Sequence, residues 1–394
     1  MSDVGPAGSA VPAGRSRLPE RPPLSQPRST GSRSSQQPAL GLLGLLLVIP
    51  VAVALAIGLG GDGSTRVLAP LVTFSLPLVV MIAFWWEDWP GTRLRSSWSG
   101  WADTVLICAG AIAVTGAGQT LAGRLDPGAL FDPSPGPGHV PTFPATMPLA
   151  GLAFVAMLEI TLVGEGWPLR RLRPLVAGPI AVAISWAVAI VGYLTVVQVE
   201  SPAGSDVIAR DGPVPGAVLG AALVLIGAWQ VLCFVVWRGW PFATVASRAA
   251  RLTIAHVTVI GGGIVSYLVL RELLGLTPSR IAALGGCFIA AGLLFGMLFE
   301  GWLGNLSPTV ERAALLLATL ALAALLAVGL QAIATRALHL TQSAADDWVG
   351  HATLNALAVA IILHVAVGRR WPFAHPAAQA PRTSSSAASG SVDV

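Results

Sequence analysis

Apolar windows about twenty residues long recur along this chain, and each has the length that carries a helix across roughly 30 Å of hydrocarbon. Ten can be read, near Ala39–Gly60, Val67–Trp86, Trp101–Leu121, Met147–Val163, Leu175–Val197, Val214–Val236, Leu252–Leu270, Ile281–Leu298, Ala313–Ala334 and Trp348–Val367. Lipid supplies no partner to a bare amide, so segments of this length must close their hydrogen bonds internally, as helices. Barrel strands would instead be short and alternating. The expected fold class is all-α, a polytopic transmembrane bundle of about ten helices. Composition agrees: mean hydropathy is +0.73, and 11% of residues are charged against a soluble norm of about 25%.

A second pattern lies over the first. Five windows run into a tryptophan flanked by charge: Glu87-Asp88-Trp89-Pro90, Glu165-Gly166-Trp167-Pro168, Arg238-Gly239-Trp240-Pro241, Glu300-Gly301-Trp302-Leu303 and Arg369-Arg370-Trp371-Pro372. The intervals between these tryptophans, 78, 73, 62 and 69 residues, hold two crossings and their loops. The repeating unit is therefore expected to be a helical hairpin, degenerate in its fourth copy and present five times in parallel orientation. Tryptophan favours the headgroup level and proline cannot continue a helix, so Trp89, Trp167, Trp240, Trp302 and Trp371 are expected to anchor the even-numbered helices and end them. Inverted five-helix halves would set the second helix against the seventh, which has no such ending at Arg271-Glu272-Leu273-Leu274.

Residues 1–38 are rich in Pro, Gly, Ser and Arg and read as a disordered tail; 39–373 form the ten-span domain, and 374–394 a second disordered tail. Arginine supplies every basic side chain. With both termini inside, 17 of the 23 arginines fall on the inner face, which predicts a plasma-membrane protein with both ends cytoplasmic.

Several chemistries lack their residues. There is no lysine, hence no P-loop lysine or lysine Schiff base, and Cys108, Cys233 and Cys287 stand in separate windows without metal-ligand spacing. The pI of 9.6 comes from arginines scattered at membrane flanks, so the expected partner is the bilayer and not nucleic acid. No hydrolase or dinucleotide motif appears, and neither an enzyme nor a metal site is expected.

The polar residues inside the windows are few. Glu159, eight residues before Trp167, reads as close to the midplane, about 12 Å in from the anchors. A carboxylate there costs about 2.5–3.5 kcal/mol unless protonated, paired or wet. Gln230 lies at similar depth in the next hairpin, within hydrogen-bonding expectation of Glu159. His351 and Asn355 share one helical stripe on the last window. Together Glu159, Gln230, His351 and Asn355 are the expected pathway for a small solute, with Glu159 as coupling acid of a permease-like protein or, alternatively, as a neutral group satisfied by neighbouring helices. His256 and His364, at matched depth near the inner face, are the residues from which a bis-histidine haem would be built; otherwise no cofactor is expected. A non-catalytic membrane scaffold is the alternative function. The clusters Gly261-Gly262-Gly263, Gly285-Gly286 and Gly292/Gly296 predict close helix contacts, with unwinding at the triple glycine the less favoured option.

Overall fold

A computed structural model describes residues 36–94 and 96–373; the tails read from the sequence lie outside the described residues except for positions 36–38. In chain order the long helices are α1 (Ala39–Ile57), α2 (Gly61–Trp85), α3 (Trp98–Ala122), α4 (Met147–Val163), α5 (Pro174–Thr195), α6 (Gly216–Val236), α7 (Arg248–Leu273), α8 (Pro278–Leu298), α9 (Pro308–Ala337) and α10 (Gln342–Val367). Nine of these, among the described residues, are long and apolar enough to cross a membrane, and α4 is the shorter one. The protein is a multi-pass, all-α membrane protein. Between α5 and α6, Val197–Gln198 pairs in parallel with Val214–Pro215.

The helices form two concentric rings. Between 61% and 67% of the spans of α2, α6, α8 and α10 is buried, against 22% to 39% for α1, α3, α5, α7 and α9. Large exposed apolar side chains follow the same division: Leu46, Val105, Val191, Val257 and Val328 stand on odd-numbered helices, and the even-numbered ones show none. The odd helices thus present the lipid-facing surface and the even helices the core. Within the inner ring α2 packs on α4, α4 on α6, α6 on α8, α8 on α10 and α10 back on α2. Each outer helix lies chiefly against the inner helix that precedes it, and α1 closes the circle by lying against α10.

Small residues set the helix spacing. A Cβ at Gly263 of α7 would come within 2.5 Å of Ile226 Cγ1 and 2.7 Å of its backbone nitrogen, and one at Gly262 within 2.6 Å of the Trp229 ring. On α8, Gly286, Gly292 and Gly296 leave the same kind of room for Thr353, Val231 and Val235. The triple glycine lies inside continuous helix, so it serves close approach without unwinding.

The five tryptophan motifs share one geometry, and it revises how the helices end. In α2, α4, α6, α8 and α10 the last turn widens to i→i+5 bonding, as in Trp86 N–H to Met81 C=O, Gly164 to Glu159, Trp237 to Leu232, Phe299 to Leu294 and Gly368 to Leu363. In four of them a wider bond, from one residue back to the sixth before it, follows: from Asp88, Gly166, Gly239 and Arg370 to Ile82, Ile160, Cys233 and His364. The residues that permit this turn have positive φ, among them Asp88 (63°), Gly166 (69°), Gly239 (88°), Gly301 (83°) and Arg370 (63°). The helix is thus stopped by residues in the left-handed conformation. The proline therefore does not end the helix; the left-handed residues do, and Trp-Pro lies beyond in the following turn, where four of the Trp–Pro bonds are cis.

All five motifs lie at one end of the bundle, laced into a belt. Arg369 Nε donates to Asp88 Oδ2 at 2.9 Å, and Arg370, almost fully buried, donates to the carbonyls of Met297 and Leu298 and lies 3.9 Å from Glu300. Trp237 donates to Arg312 C=O, Arg251 binds Glu165 through Nε at 2.7 Å and Nη2 at 3.2 Å, and Trp85 donates to Thr161 Oγ1. Trp167, Trp240, Trp302 and Trp371 keep exposed indoles around this rim, and Trp89 is half-buried.

At the opposite end the proline-rich segment after α3 is pinned to the loop after α5. Gln119 exchanges hydrogen bonds with the backbone of Asp126 and donates to Val140 C=O, while Asp206 N–H reaches His139 C=O. Asp126 caps the short helix Pro127–Phe131 and also accepts from Val140 N–H and His139 Nδ1.

Candidate functional site

The inner ring encloses a chamber of about 580 Å³ lined from all five even-numbered helices. Along α6 the lining runs from Pro215 to Val235, and twenty residues at 1.5 Å each correspond to about 30 Å of rise. Its wall is apolar over most of that length, with Val80, Phe154, Leu158, Val231, Leu293 and Ile362 at the belt half. Polar side chains gather at the other end: Thr65, Gln198, Glu200, Ser279, Asp346 and Asp347, with His351, Asn355 and Thr73 just inside. The mouth is bordered by Phe143–Ala145 and Gln198–Glu200, so the pinned loops are part of the site.

Two expected pathway residues, His351 and Asn355, line this chamber. They are one helical turn apart on α10, as the i, i+4 spacing requires. His351 is 2% exposed, and its Nε2 lies 3.0 Å from Leu55 C=O; because a carbonyl can only accept, Nε2 carries the proton in this bond. Trp348 Nε1 donates to the next carbonyl, Ala56, at 2.9 Å. These two side chains serve the last-turn carbonyls of α1, which lack intrahelical partners. Asn355 meets Thr73 Oγ1 of α2 at 2.9 Å. Near the mouth Asp346 is paired with Arg280 at 3.1 Å.

Glu159 and Gln230 are brought together, but behind the chamber wall. Gln230 Nε2 donates to Glu159 Oε1 at 2.9 Å, and His256 Nδ1 from α7 lies 2.5 Å from Glu159 Oε2. Gln230 is fully buried, and its Oε1 has no partner among the described residues. Val155, Leu158 and Leu162 of α4 face the chamber, whereas Glu159 turns between α4, α6 and α7. Glu159 also lies closer to the belt than its distance from Trp167 suggests. The helix stops at Val163, so Glu159 is four residues, about 6 Å, from the helix end, and the remaining residues to Trp167 form a turn instead of rise. Its position opens the widened last turn of α4, a backbone irregularity that often accompanies function.

The partnership with His256 was not legible in the sequence, which matched His256 with His364 by depth. In the structure the two histidines have different partners. His256 is bound to Glu159, while buried His364 lies against α1 at Gly44 and 6.1 Å from the Phe373 ring. No cluster of three or more His, Cys, Asp or Glu suited to a metal is present among the described residues. Comparison of the chain with protein-family models, with curated proteins and with solved structures gives no match.

Proposed function

We propose that this membrane protein is a permease-like carrier whose solute is small, largely apolar and polar at one end, and that the solute occupies the chamber of the inner ring. The observation that carries this reading is the division of the wall: five helices contribute an apolar surface over most of the chamber, and the polar side chains collect at one mouth. A volume of about 580 Å³ lies within the range of roughly 300–1,000 Å³ of small-molecule sites. The hydrogen-bonded group Glu159, Gln230 and His256 supports a proton-coupled mechanism. It joins three helices immediately behind Leu158 and Leu162, so protonation of Glu159 would change the packing of the chamber wall without placing a charge among the apolar residues. The recurrence of one helix stop and one belt tie favours a hairpin copied five times, and the arginine distribution favours the belt on the cytoplasmic side of the plasma membrane, with the mouth outside. The reading assigns no bond-making chemistry to the protein.

Gly220 and Gly350 give the test. Both line the chamber, and a Cβ at either position meets nothing within 4 Å, so Gly220→Phe and Gly350→Phe fill the space from two helices without displacing the wall. Saturable binding of tritiated ten-carbon amphiphiles to protein in lipid nanodiscs is expected in the wild type and lost in both variants. Proteoliposome uptake is expected to fail in Glu159→Gln while binding persists. Binding that survives both phenylalanine substitutions in well-folded protein removes the chamber from the account.

A further inference from the structure

His351 has one ring nitrogen that the fold uses and one that it does not. Nε2 is committed as donor to Leu55 C=O, while Nδ1, on a side chain 98% buried by its 2% exposure, has no hydrogen-bond partner among the described residues. Leaving a buried polar atom unpaired is costly, and in native proteins such atoms call for a reason. With the proton on Nε2, Nδ1 is a lone-pair acceptor, so what it lacks is a donor. No group among the described residues supplies one, and His351 belongs to the chamber lining. The charged residues of the lining have one sign: Glu200, Asp346 and Asp347. Asp346 is already neutralised by Arg280 at 3.1 Å, which leaves Glu200 and Asp347 at the mouth.

We propose that the chamber takes an amphiphilic ammonium: a primary or secondary amine whose N–H donates to His351 Nδ1, whose charge is balanced by Asp347 and Glu200, and whose apolar chain extends toward the belt between Val80, Leu158, Val231 and Leu293. The proposal rests on the carrier reading above and gives the solute its chemical class. The distribution of wall chemistry fits an elongated molecule with a single polar end. A carboxylate or phosphate head would meet acidic groups at the mouth and an acceptor nitrogen inside it, and would be rejected by both. A quaternary ammonium would satisfy the charge and leave Nδ1 unpaired. The sequence marked His351 and Asn355 as polar positions but could not show that one nitrogen of His351 was spent on α1, which is what defines the other as an acceptor without a partner.

The experiment compares four tritiated ligands of one chain length, decylamine, decyltrimethylammonium, decanol and decanoate, on the full chain in zwitterionic nanodiscs. Decylamine is expected to bind about tenfold more tightly than decyltrimethylammonium, a difference of about 1.4 kcal/mol, with decanol weaker and decanoate weakest. In His351→Leu the preference for the amine over the quaternary ion should vanish; in His351→Gln, which retains an acceptor and a donor, it should persist in reduced form. Equal binding of decylamine and decyltrimethylammonium to the wild type overturns the proposal without any variant, so a poorly folding His351→Leu does not protect it. A preference that survives in folded His351→Leu also overturns it. If all four ligands bind saturably and alike, and Gly350→Phe abolishes that binding, the chamber reading stands and the ammonium assignment falls. If none binds saturably, both fall.

Discussion

The group formed by Glu159, Gln230 and His256 makes a quantitative prediction because its hydrogen bonds are unevenly satisfied. Gln230 donates to Glu159 Oε1 at 2.9 Å and makes only a long contact, 3.4 Å, to Val155 C=O, while its own Oε1 is buried without a partner. Replacing Gln230 by Leu removes a hydrogen bond to a carboxyl group, about 1.5–3 kcal/mol if that group is charged, and also removes an orphaned acceptor whose burial costs about 1–3 kcal/mol. The two effects oppose each other, so Gln230→Leu should change stability by less than about 1 kcal/mol. Glu159→Leu is different: it strands both the Gln230 amide and His256 Nδ1, and should cost about 2 kcal/mol or more. In the double variant the stranded amide is gone, and it should be more stable than the sum of the single changes by about 1.5–3 kcal/mol. Reversible unfolding in mixed micelles, driven by increasing sodium dodecyl sulfate and followed by tryptophan fluorescence, measures all four corners of this cycle. A coupling energy below about 0.5 kcal/mol, the scatter expected of independent sites, would show that these side chains do not act together and would remove the proton-handling group from the proposed mechanism.

Two further predictions concern packing and the outer loops. At Gly263 an alanine Cβ would collide with the Ile226 backbone, so Gly263→Ala should destabilise by about 1–3 kcal/mol in the same assay, whereas Gly261→Ala, whose Cβ meets nothing within 4 Å, should be neutral or stabilising. At Asp126, burial opposes ionisation, but hydrogen bonds from Val140 N–H, His139 and Ala129 N–H outweigh it and hold the carboxyl below its ordinary range. A folded-state value below the unfolded one means that ionised Asp126 contributes stability above pH ~4, lost as pH falls through the folded value. Hydrogen exchange across 126–146, corrected for intrinsic rates, should therefore show protection falling on acidification below pH ~4 in the wild type, and low, pH-insensitive protection in Asp126→Asn. Unchanged protection down to pH 2 would contradict the assigned role.

The part of this fold that was legible in the sequence is the part governed by local rules. Each apolar window became a helix because backbone amides leave no alternative in lipid, and the observed helices overlap all ten windows. The glycine pairs on α8 became close contacts with α6 and α10 for the equally local reason that only a missing side chain permits them. Depth was less secure. Counting 1.5 Å for every residue between Glu159 and Trp167 assumes helix throughout, yet left-handed residues at Glu165 and Gly166 turn the chain before it reaches the tryptophan. The signal was present in Gly166, Gly239 and Gly301, which occupy one place in the motif, but Asp88 and Arg370 occupy that place in the other two copies and obscured it. Those two side chains enter the belt ties, Asp88 with Arg369 and Arg370 with the end of α8, which offset about 1–2 kcal/mol of left-handed strain at each.

Lateral order has no such local signature, and it is what forms the chamber. A period of one tryptophan per two crossings suggests a unit made of α1 with α2, α3 with α4, and so onward. In space the outer helices make their extensive contacts in the order α3 with α2, α5 with α4, α7 with α6 and α9 with α8, leaving α1 to lie against α10. The physical cause is the motif's turn, which connects an inner helix to the outer helix that follows; Arg248 and Arg251, at the start of α7, add a tie to Glu165 at the end of α4. Four such links, from α2 to α3, α4 to α5, α6 to α7 and α8 to α9, set the five inner helices side by side, and closure of the ring brings the first and last helices together. The meeting is secured by Trp348 and His351 on the carbonyls of α1. The seam that closes the ring is thus also where His351, a residue of the chamber lining, keeps an unused acceptor nitrogen, and a chain opened at that seam should lose the chamber.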